Sequence, residues 1–164
     1  MKTLLIVHHS MTGGTLQMAN AAAAGATAAE PALHVSLLRA ADVGAAHVLG
    51  ADGYVFATPE NLAAMSGQMK DFFDRTYYAA LERLNGRPYA ALICAGSDGR
   101  NAAEQIARIA TGWRLRPVAD PLIVCTHAQT AEEILRPKRI SAMHLQQCEQ
   151  LGATLAAGIA MGIF

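Results

Sequence analysis

The sequence predicts a doubly wound α/β fold built around a parallel sheet. Short, wholly apolar runs such as Leu4–Val7 (LLIV) and Ala91–Cys94 (ALIC) mark strands covered by helices on both faces. Strand-like and helix-like segments alternate about five times from end to end, with no linker, repeat or low-complexity tail between them. The chain is 52% hydrophobic and only 5% aromatic, so its apolar content is largely alanine, which suits close packing of layers. Its 164 residues lie near the ~100–150 of one domain, and a single domain over 1–164 is expected.

Thr3–His8 reads as the first strand, ended by the polar HSMTGGT segment. Gly14–Ala29 is alanine-rich and strongly helix-forming. Glu30-Pro31 stops it, because a residue before proline avoids the helical region. His34–Leu38 and Gly53–Thr58 are the second and third strands, and Pro59 ends the latter. Ser66 is placed to cap a helix whose apolar face is Met69, Phe72, Phe73, Thr76 and Ala80. Asn85-Gly86 turns the chain into a fourth strand, Pro88–Ala95, followed by Gly96-Ser97-Asp98-Gly99 and a helix over Asn101–Gly112. Arg116–Cys125 holds a fifth strand, and Pro117 and Pro121 make it an edge strand or one broken in the middle. The last helix is expected to start near Lys138, with Ile140, His144, Cys148, Leu151, Leu155 and Ile159 on one face.

Composition excludes several classes. Charged residues are 16% against a typical ~25%, which excludes intrinsic disorder. Thirteen Lys+Arg balance thirteen Asp+Glu, giving a net charge of +0 and no basic footprint for nucleic acid. Cys94, Cys125 and Cys148 form no disulfide framework and read as reduced thiols of a cytoplasmic protein. The apolar N-terminal run is too short for a signal peptide, and Leu151–Phe164 falls short of the ~20 residues of a membrane span. His8 and His9 point to opposite faces of a strand, and the other four histidines lack ligand spacing, so no metal site is expected.

Ligands of open α/β sheets bind beyond the carboxyl ends of the strands, at the point where strand order reverses. Three segments fall there. Ser10-Met11-Thr12-Gly13-Gly14-Thr15 offers hydroxyls, two glycines and a helix start, a nest for a monophosphate held without Lys or Arg; an ordinary capped strand–helix turn has the same composition. It is neither a Walker A loop nor a dinucleotide fingerprint. Thr58-Pro59-Glu60-Asn61-Leu62 opens a long loop suited to covering a flat ring, with Glu60 and Asn61 hydrogen-bonding an edge. Lys70, Asp71, Asp74 and Arg75, farther on, read as a solvated face with i,i+4 pairing. Gly96-Ser97-Asp98-Gly99 supplies backbone N–H groups at the fourth strand end, or a generic turn. Cys94 reads as a buried small hydrophobe and Trp113 as a packing residue at a helix end. Arg136-Pro137-Lys138-Arg139 is the only basic cluster and reads as a solvated surface, or as a receptor for a phosphate-bearing co-substrate.

Ser-x-Thr-Gly-x-Thr after the first strand resembles the FMN phosphate loop of the flavodoxin-like superfamily. Thr58-Pro59-Glu60-Asn61 with Met65 through Arg75 resembles its NAD(P)H-dependent FMN and quinone reductase branch, and Gly96-Ser97-Asp98 is similar to the loop at the flavin pyrimidine edge. The resemblance implies a flavodoxin-like three-layer sandwich with five parallel strands in the order 2-1-3-4-5. It implies FMN as cofactor, with Ser10–Thr15 on the phosphate, Thr58–Leu62 along ribityl and isoalloxazine, and Gly96–Gly99 at the polar edge. It further implies hydride transfer from NAD(P)H through flavin N5 to a quinone, a flavin or a similar small acceptor, with no side chain as acid or base. Arg100 is the expected contact to an anionic co-substrate. A dimer or tetramer is expected to complete a site so poor in aromatics. The alternatives are an electron-carrying flavodoxin and a fold that has lost its flavin. Carriers are typically acidic and clamp the ring between aromatics, and this chain shows neither feature.

Overall fold

The computed structural model describes Met1–Phe164. Strand β1 (Thr3–His8) lies between β2 (His34–Arg39) and β3 (Gly53–Asn61), and β5 (Pro88–Ala95) continues the sheet beyond β3, all parallel. The fifth position is shared by two short segments, β6 (Arg116–Pro117) and β7 (Leu122–Cys125), both paired with β5. The break lies between the two prolines, as their missing N–H donors require. Counting that split strand once, the order is the expected 2-1-3-4-5, and the architecture is flavodoxin-like.

Alternation along each strand sorts the core into two halves. Leu5, Val7, Tyr54, Phe56, Ala91 and Ile93 face α3 (Gly67–Ala80) and α4 (Arg100–Gly112), whereas Leu4, Ile6, Val55, Ala57, Leu92 and Cys94 face α1 (Gly14–Ala29) and α6 (Ala142–Met161). The first half holds the buried aromatics. Phe56 contacts the rings of Tyr54, Phe72, Phe73, Tyr89 and Trp113, and the Trp113 indole donates to the Tyr77 carbonyl at 2.9 Å. In the second half, alanines and glycines stand where α1 and α6 face each other, so the two helices touch backbone to backbone. A Cβ on Gly152 would sit 1.9 Å from the Ala22 carbonyl oxygen, and one on Gly25 2.0 Å from that of Glu149.

The α3 helix follows its sequence pattern. Its buried residues are Met69, Phe72, Phe73, Thr76 and Ala80, and Ser66 Oγ accepts the Met69 N–H at 3.3 Å. On its outer face Lys70 pairs with Asp74 and Asp71 with Arg75. Arg75 also donates to the carbonyls of Val43 and Ala40, which adds a packing role to that solvated face.

Three features depart from the sequence expectation. The last helix begins at Ala142, not near Lys138, because Ser141 caps it by accepting the His144 N–H. Two short helices, α2 (Ala45–Gly50) and α5 (Ala131–Leu135), occupy stretches with too few turns to show a period. Finally, the segment after Thr58 is a hairpin. β3 runs on to Asn61 and pairs antiparallel with β4 (Ala64–Met65), with Leu62 and Ala63 as its two turn residues at φ +50 and +60. Both-positive φ is the geometry of a tight hairpin turn that usually selects Asn or Gly.

Candidate functional site

The carboxyl ends of β1, β3 and β5 open into one cavity of about 530 Å³, within the ~300–1,000 Å³ of small-molecule sites. One wall is Ser10, Met11, Thr12, Gly14 and Thr15. Gly13 makes the turn into α1 at φ +90, a conformation that an L side chain resists. Among the backbone N–H groups from Ser10 to Leu16, only that of Gly13 has a protein acceptor, Ser10 Oγ at 3.1 Å. The remaining amides and the α1 N-terminus make a donor set for an anion, without a charged side chain in the loop.

A second wall is the hairpin, with Pro59, Glu60, Asn61, Leu62 and Ala63. It is fastened to α4 at three points. Glu60 Oε1 accepts the Gly99 N–H at 2.9 Å and Oε2 the Ala102 N–H at 3.1 Å. The Asn101 amide donates to the Ala63 carbonyl, and Gln105 Oε1 accepts the Met65 N–H at 2.9 Å. The hairpin base is held by Thr58, fully buried, whose Oγ1 accepts the Ser66 N–H at 3.1 Å. Leu62 stands wholly exposed at the tip.

The floor and far wall are Cys94, Ala95, Gly96, Ser97, Thr126, Ala128, Gln129, Ile134 and Lys138. The N–H groups of Gly96, Ser97 and Asp98 have no protein acceptor, whereas that of Gly99 is committed to Glu60. Burial pushes the Cys94 thiol up to about 11, so it stays protonated and fills space. Its Sγ presses on α1, since a Cβ on Gly14 would lie 2.7 Å from it. No Phe, Tyr or Trp lines the cavity.

The structure thus brings together Ser10, Met11, Thr12, Gly14, Thr15, Pro59, Glu60, Asn61, Leu62, Gly96 and Ser97. Gly13, Thr58, Asp98, Gly99 and Arg100 stand outside the lining. Gly13 and Gly99 shape turns, and Thr58 braces the hairpin. Asp98 turns to solvent and pairs with Arg100 at 2.7 Å, which holds its carboxyl below the usual range. Arg100, with its side chain 79% exposed, is spent on that pair and does not reach the cavity. Glu60 lines the cavity, and each of its oxygens gives one acceptor position to the start of α4. Lys138, Gln129, Thr126, Ala128 and Ile134 were not singled out for the cavity from sequence. Lys138 arrives because its N–H donates to the Thr12 carbonyl at 2.8 Å and Gln17 ties its carbonyl to α1, a contact across about 120 residues that no local pattern shows.

A family model described as NADPH-dependent FMN reductase matches residues 41–130. Among solved structures, a flavodoxin from the domain Archaea superposes at a TM-score of 0.75 with 20% identity, covering 98% of this chain and 99% of that one. A flavodoxin-type WrbA-like protein from Agrobacterium tumefaciens gives 0.74 and 18%, with 98% and 99% covered. An oxidoreductase from Corynebacterium diphtheriae gives 0.73 and 21%, with 98% of each chain covered. At such identities these likenesses establish the fold. No protein of curated function matches the chain in sequence. No helix is long and apolar enough to cross a membrane. The family match spans the hairpin, α3, β5 and the Gly96–Gly99 turn, more than half of the sequence, and the chain belongs to the NADPH-dependent FMN reductase family of flavoproteins.

Proposed function

We propose that this protein is an FMN-dependent oxidoreductase that accepts a hydride from NADPH and delivers the electrons to a small acceptor of the quinone or flavin class. The observation that carries the reading is the convergence of two sets of unpaired amides, those of Ser10, Met11, Thr12, Gly14 and Thr15 and those of Gly96 and Ser97, on one cavity also walled by the hairpin. The first set suits a phosphate monoester, which accepts several N–H bonds at once. The second suits the carbonyl-rich edge of a flat heterocycle, where amide dipoles favour developing negative charge. FMN, when bound, supplies the redox chemistry: it takes two electrons and a proton as hydride and passes them on.

The chain's own residues bind, orient and exclude. Met11, Thr12, Gly14 and Thr15 amides, with the hydroxyls of Ser10, Thr12 and Thr15, hold the phosphate. Pro59, Asn61 and Leu62 flank the ribityl and ring, and Gly96 and Ser97 meet the pyrimidine edge. Glu60 acts through position, locking the hairpin to α4. The aromatic-free walls leave a ring face open to a nicotinamide, which favours a reductase over a carrier. Both halves of the core share one sheet, which supports a single domain over 1–164.

Titrating FMN into the purified protein tests the cofactor by the flavin visible spectrum and quenching of its fluorescence. Steady-state oxidation of NADPH with a quinone or free flavin tests the reaction. A protein with no FMN affinity overturns the reading. One that binds FMN and takes electrons from a reductase, yet oxidises neither nicotinamide, is a carrier.

A further inference from the structure

Three large apolar side chains stand in water around the cavity, each delivered by a different element. Met11 comes from the loop before α1, Leu62 from the hairpin turn and Ile134 from α5. Met11 and Ile134 are 53% and 42% exposed, and Leu62 wholly so. All three also line the cavity, so they form its rim. The chain itself gives them little. The α5 helix buries none of its five residues. Leu62 holds a left-handed backbone at φ +50, costly for any residue with a Cβ, and gains no burial in return.

No charge inside the rim is free to receive an anion. Glu60 and Lys138 are the only charged side chains lining the cavity. Lys138 Nζ donates to the carbonyls of Glu133, Ile134 and Arg136 at 2.8, 2.7 and 2.6 Å, so all three ammonium protons close the end of α5. Glu60 is held by the amides of Gly99 and Ala102 and has no ion-pair partner. FMN, when bound, adds the negative charge of its phosphate to the same cavity.

We propose that this rim selects the electron acceptor: Met11, Leu62 and Ile134 receive an uncharged, alkylated ring of the quinone class, and the site turns away anionic acceptors, free FMN among them. The inference rests on the reductase reading above and names the acceptor within it. An alkylated ring laid against these side chains removes apolar surface from water on both partners. An anionic acceptor gains none of that, and carries its charge past Glu60 and the cofactor phosphate without a partner. The reaction balances with NADPH as donor. NADPH gives up a hydride and leaves as NADP+. The quinone takes the two electrons, that hydrogen and one proton from solvent, and leaves as the hydroquinone.

The test compares two acceptors that share a ring, 2-methyl-1,4-naphthoquinone and the anionic 1,4-naphthoquinone-2-sulfonate, with NADPH as donor and FMN-loaded protein. The sulfonate withdraws electrons and makes the stronger oxidant, so intrinsic reactivity works against the expected order. The ratio of kcat/KM should favour the methyl compound by at least about tenfold, the scale of covering one apolar side chain. Leu62→Asn and Ile134→Ser should each lower that ratio about three- to tenfold, the worth of half such a side chain, chiefly through KM. Both residues are exposed, so neither variant strips the core. Calorimetric titration of the oxidised, FMN-loaded protein with the methyl compound, without NADPH, should show the same loss of affinity. A wild-type ratio at or below one overturns the proposal, as does a ratio that both variants leave unmoved. Free FMN reduced faster than riboflavin, which lacks only the phosphate, overturns it too by marking a site that seeks anions. So does a Leu62→Asn protein whose sedimentation changes while its ratio stands still, since a second copy then covers the rim. A protein that binds FMN and oxidises neither nicotinamide refutes the reductase reading. The rim is then judged by calorimetry alone, where equal affinity in wild type and both variants sinks it.

Discussion

Replacing Gly152 by alanine should part α1 from α6. The added Cβ would lie 1.9 Å from the Ala22 carbonyl oxygen, 2.7 Å from its carbonyl carbon and 2.9 Å from its Cα. Ordinary contact begins near 3.4 Å, and the obstacle is helix backbone, which cannot rotate aside. The helices must separate by roughly 1.5 Å, and the seam of Met18, Ala22, Cys148 and Leu155 loosens with them. Overpacking of this kind costs about 1–3 kcal/mol. Alanine's helix preference over glycine returns up to ~1 kcal/mol. With that return in full the net loss is about 0–2 kcal/mol, or up to roughly 8 °C in Tm for a chain of this size. Gly67→Ala is the internal control: it opens α3, nothing lies within 4 Å of its Cβ, and it should gain ~0.4–1 kcal/mol. The seam also sets the site, because Gln17 on α1 bonds the Lys138 carbonyl at 2.8 Å and the Ile140 N–H at 3.1 Å. Gly152→Ala should therefore weaken FMN binding while Gly67→Ala does not. Calorimetric melting and flavin titration measure both effects. A Gly152→Ala protein that melts above the wild type would refute the backbone-to-backbone seam.

Glu60→Ala orphans the Gly99 and Ala102 N–H groups and frees the hairpin, with an expected loss of ~1–3 kcal/mol in urea unfolding and weaker FMN binding; unchanged stability would show that the carboxylate does not fasten the two elements. Leu62→Asn relieves a positive φ at a fully exposed position and should raise stability by about 1 kcal/mol; if Leu62 also covers the ring, FMN affinity falls as stability rises. Burial holds the thiols of Cys94 and Cys148 at about 11 and about 12. A thiol reagent at mildly alkaline pH should therefore label Cys125 well before either in the native protein, and rapid reaction of all three would contradict that burial. Burial also lowers the pKa of His8, whose Nδ1 is without a partner. The folded state then binds fewer protons than the unfolded one, so this contribution is full above the ordinary value of 6.5 and is lost as pH falls through it towards the folded pKa. His8→Asn should flatten the loss of unfolding free energy on acidification through that window, and an unchanged slope would count against it.

Much of this molecule was legible wherever the signal was local. The apolar face of α3 falls at helical spacing, Ser66 caps it, and two prolines break the fifth strand; each depends on neighbours within a few residues. The turn after Thr58 was less legible, because Leu62 and Ala63 sit where an Asn or Gly would have announced a hairpin. The fate of Glu60 was hidden for another reason. A carboxylate beside a ligand loop looks free until α4, some forty residues on, delivers its amides to it. Arg100 misled in the opposite sense, since proximity in sequence to the third loop placed it near the cavity whereas Asp98 draws it away. Lys138 and Arg139 show in the sequence only as part of a basic cluster, with nothing local to say what it faces. Their position follows from the packing of α6 on α1, which only the assembled layers determine.

The segregation of aromatics has an optical consequence. Trp113 is the only tryptophan, fully buried and stacked on Tyr77 at 5.7 Å, within the half of the core that faces α3 and α4. Its emission reports the assembly of that half and is blind to the alanine–glycine seam between α1 and α6. Far-ultraviolet circular dichroism weighs the two long seam helices heavily. Superimposable unfolding curves from the two probes would mean that the sheet couples both layers into one cooperative unit; divergent ones would time the layers separately without any added label.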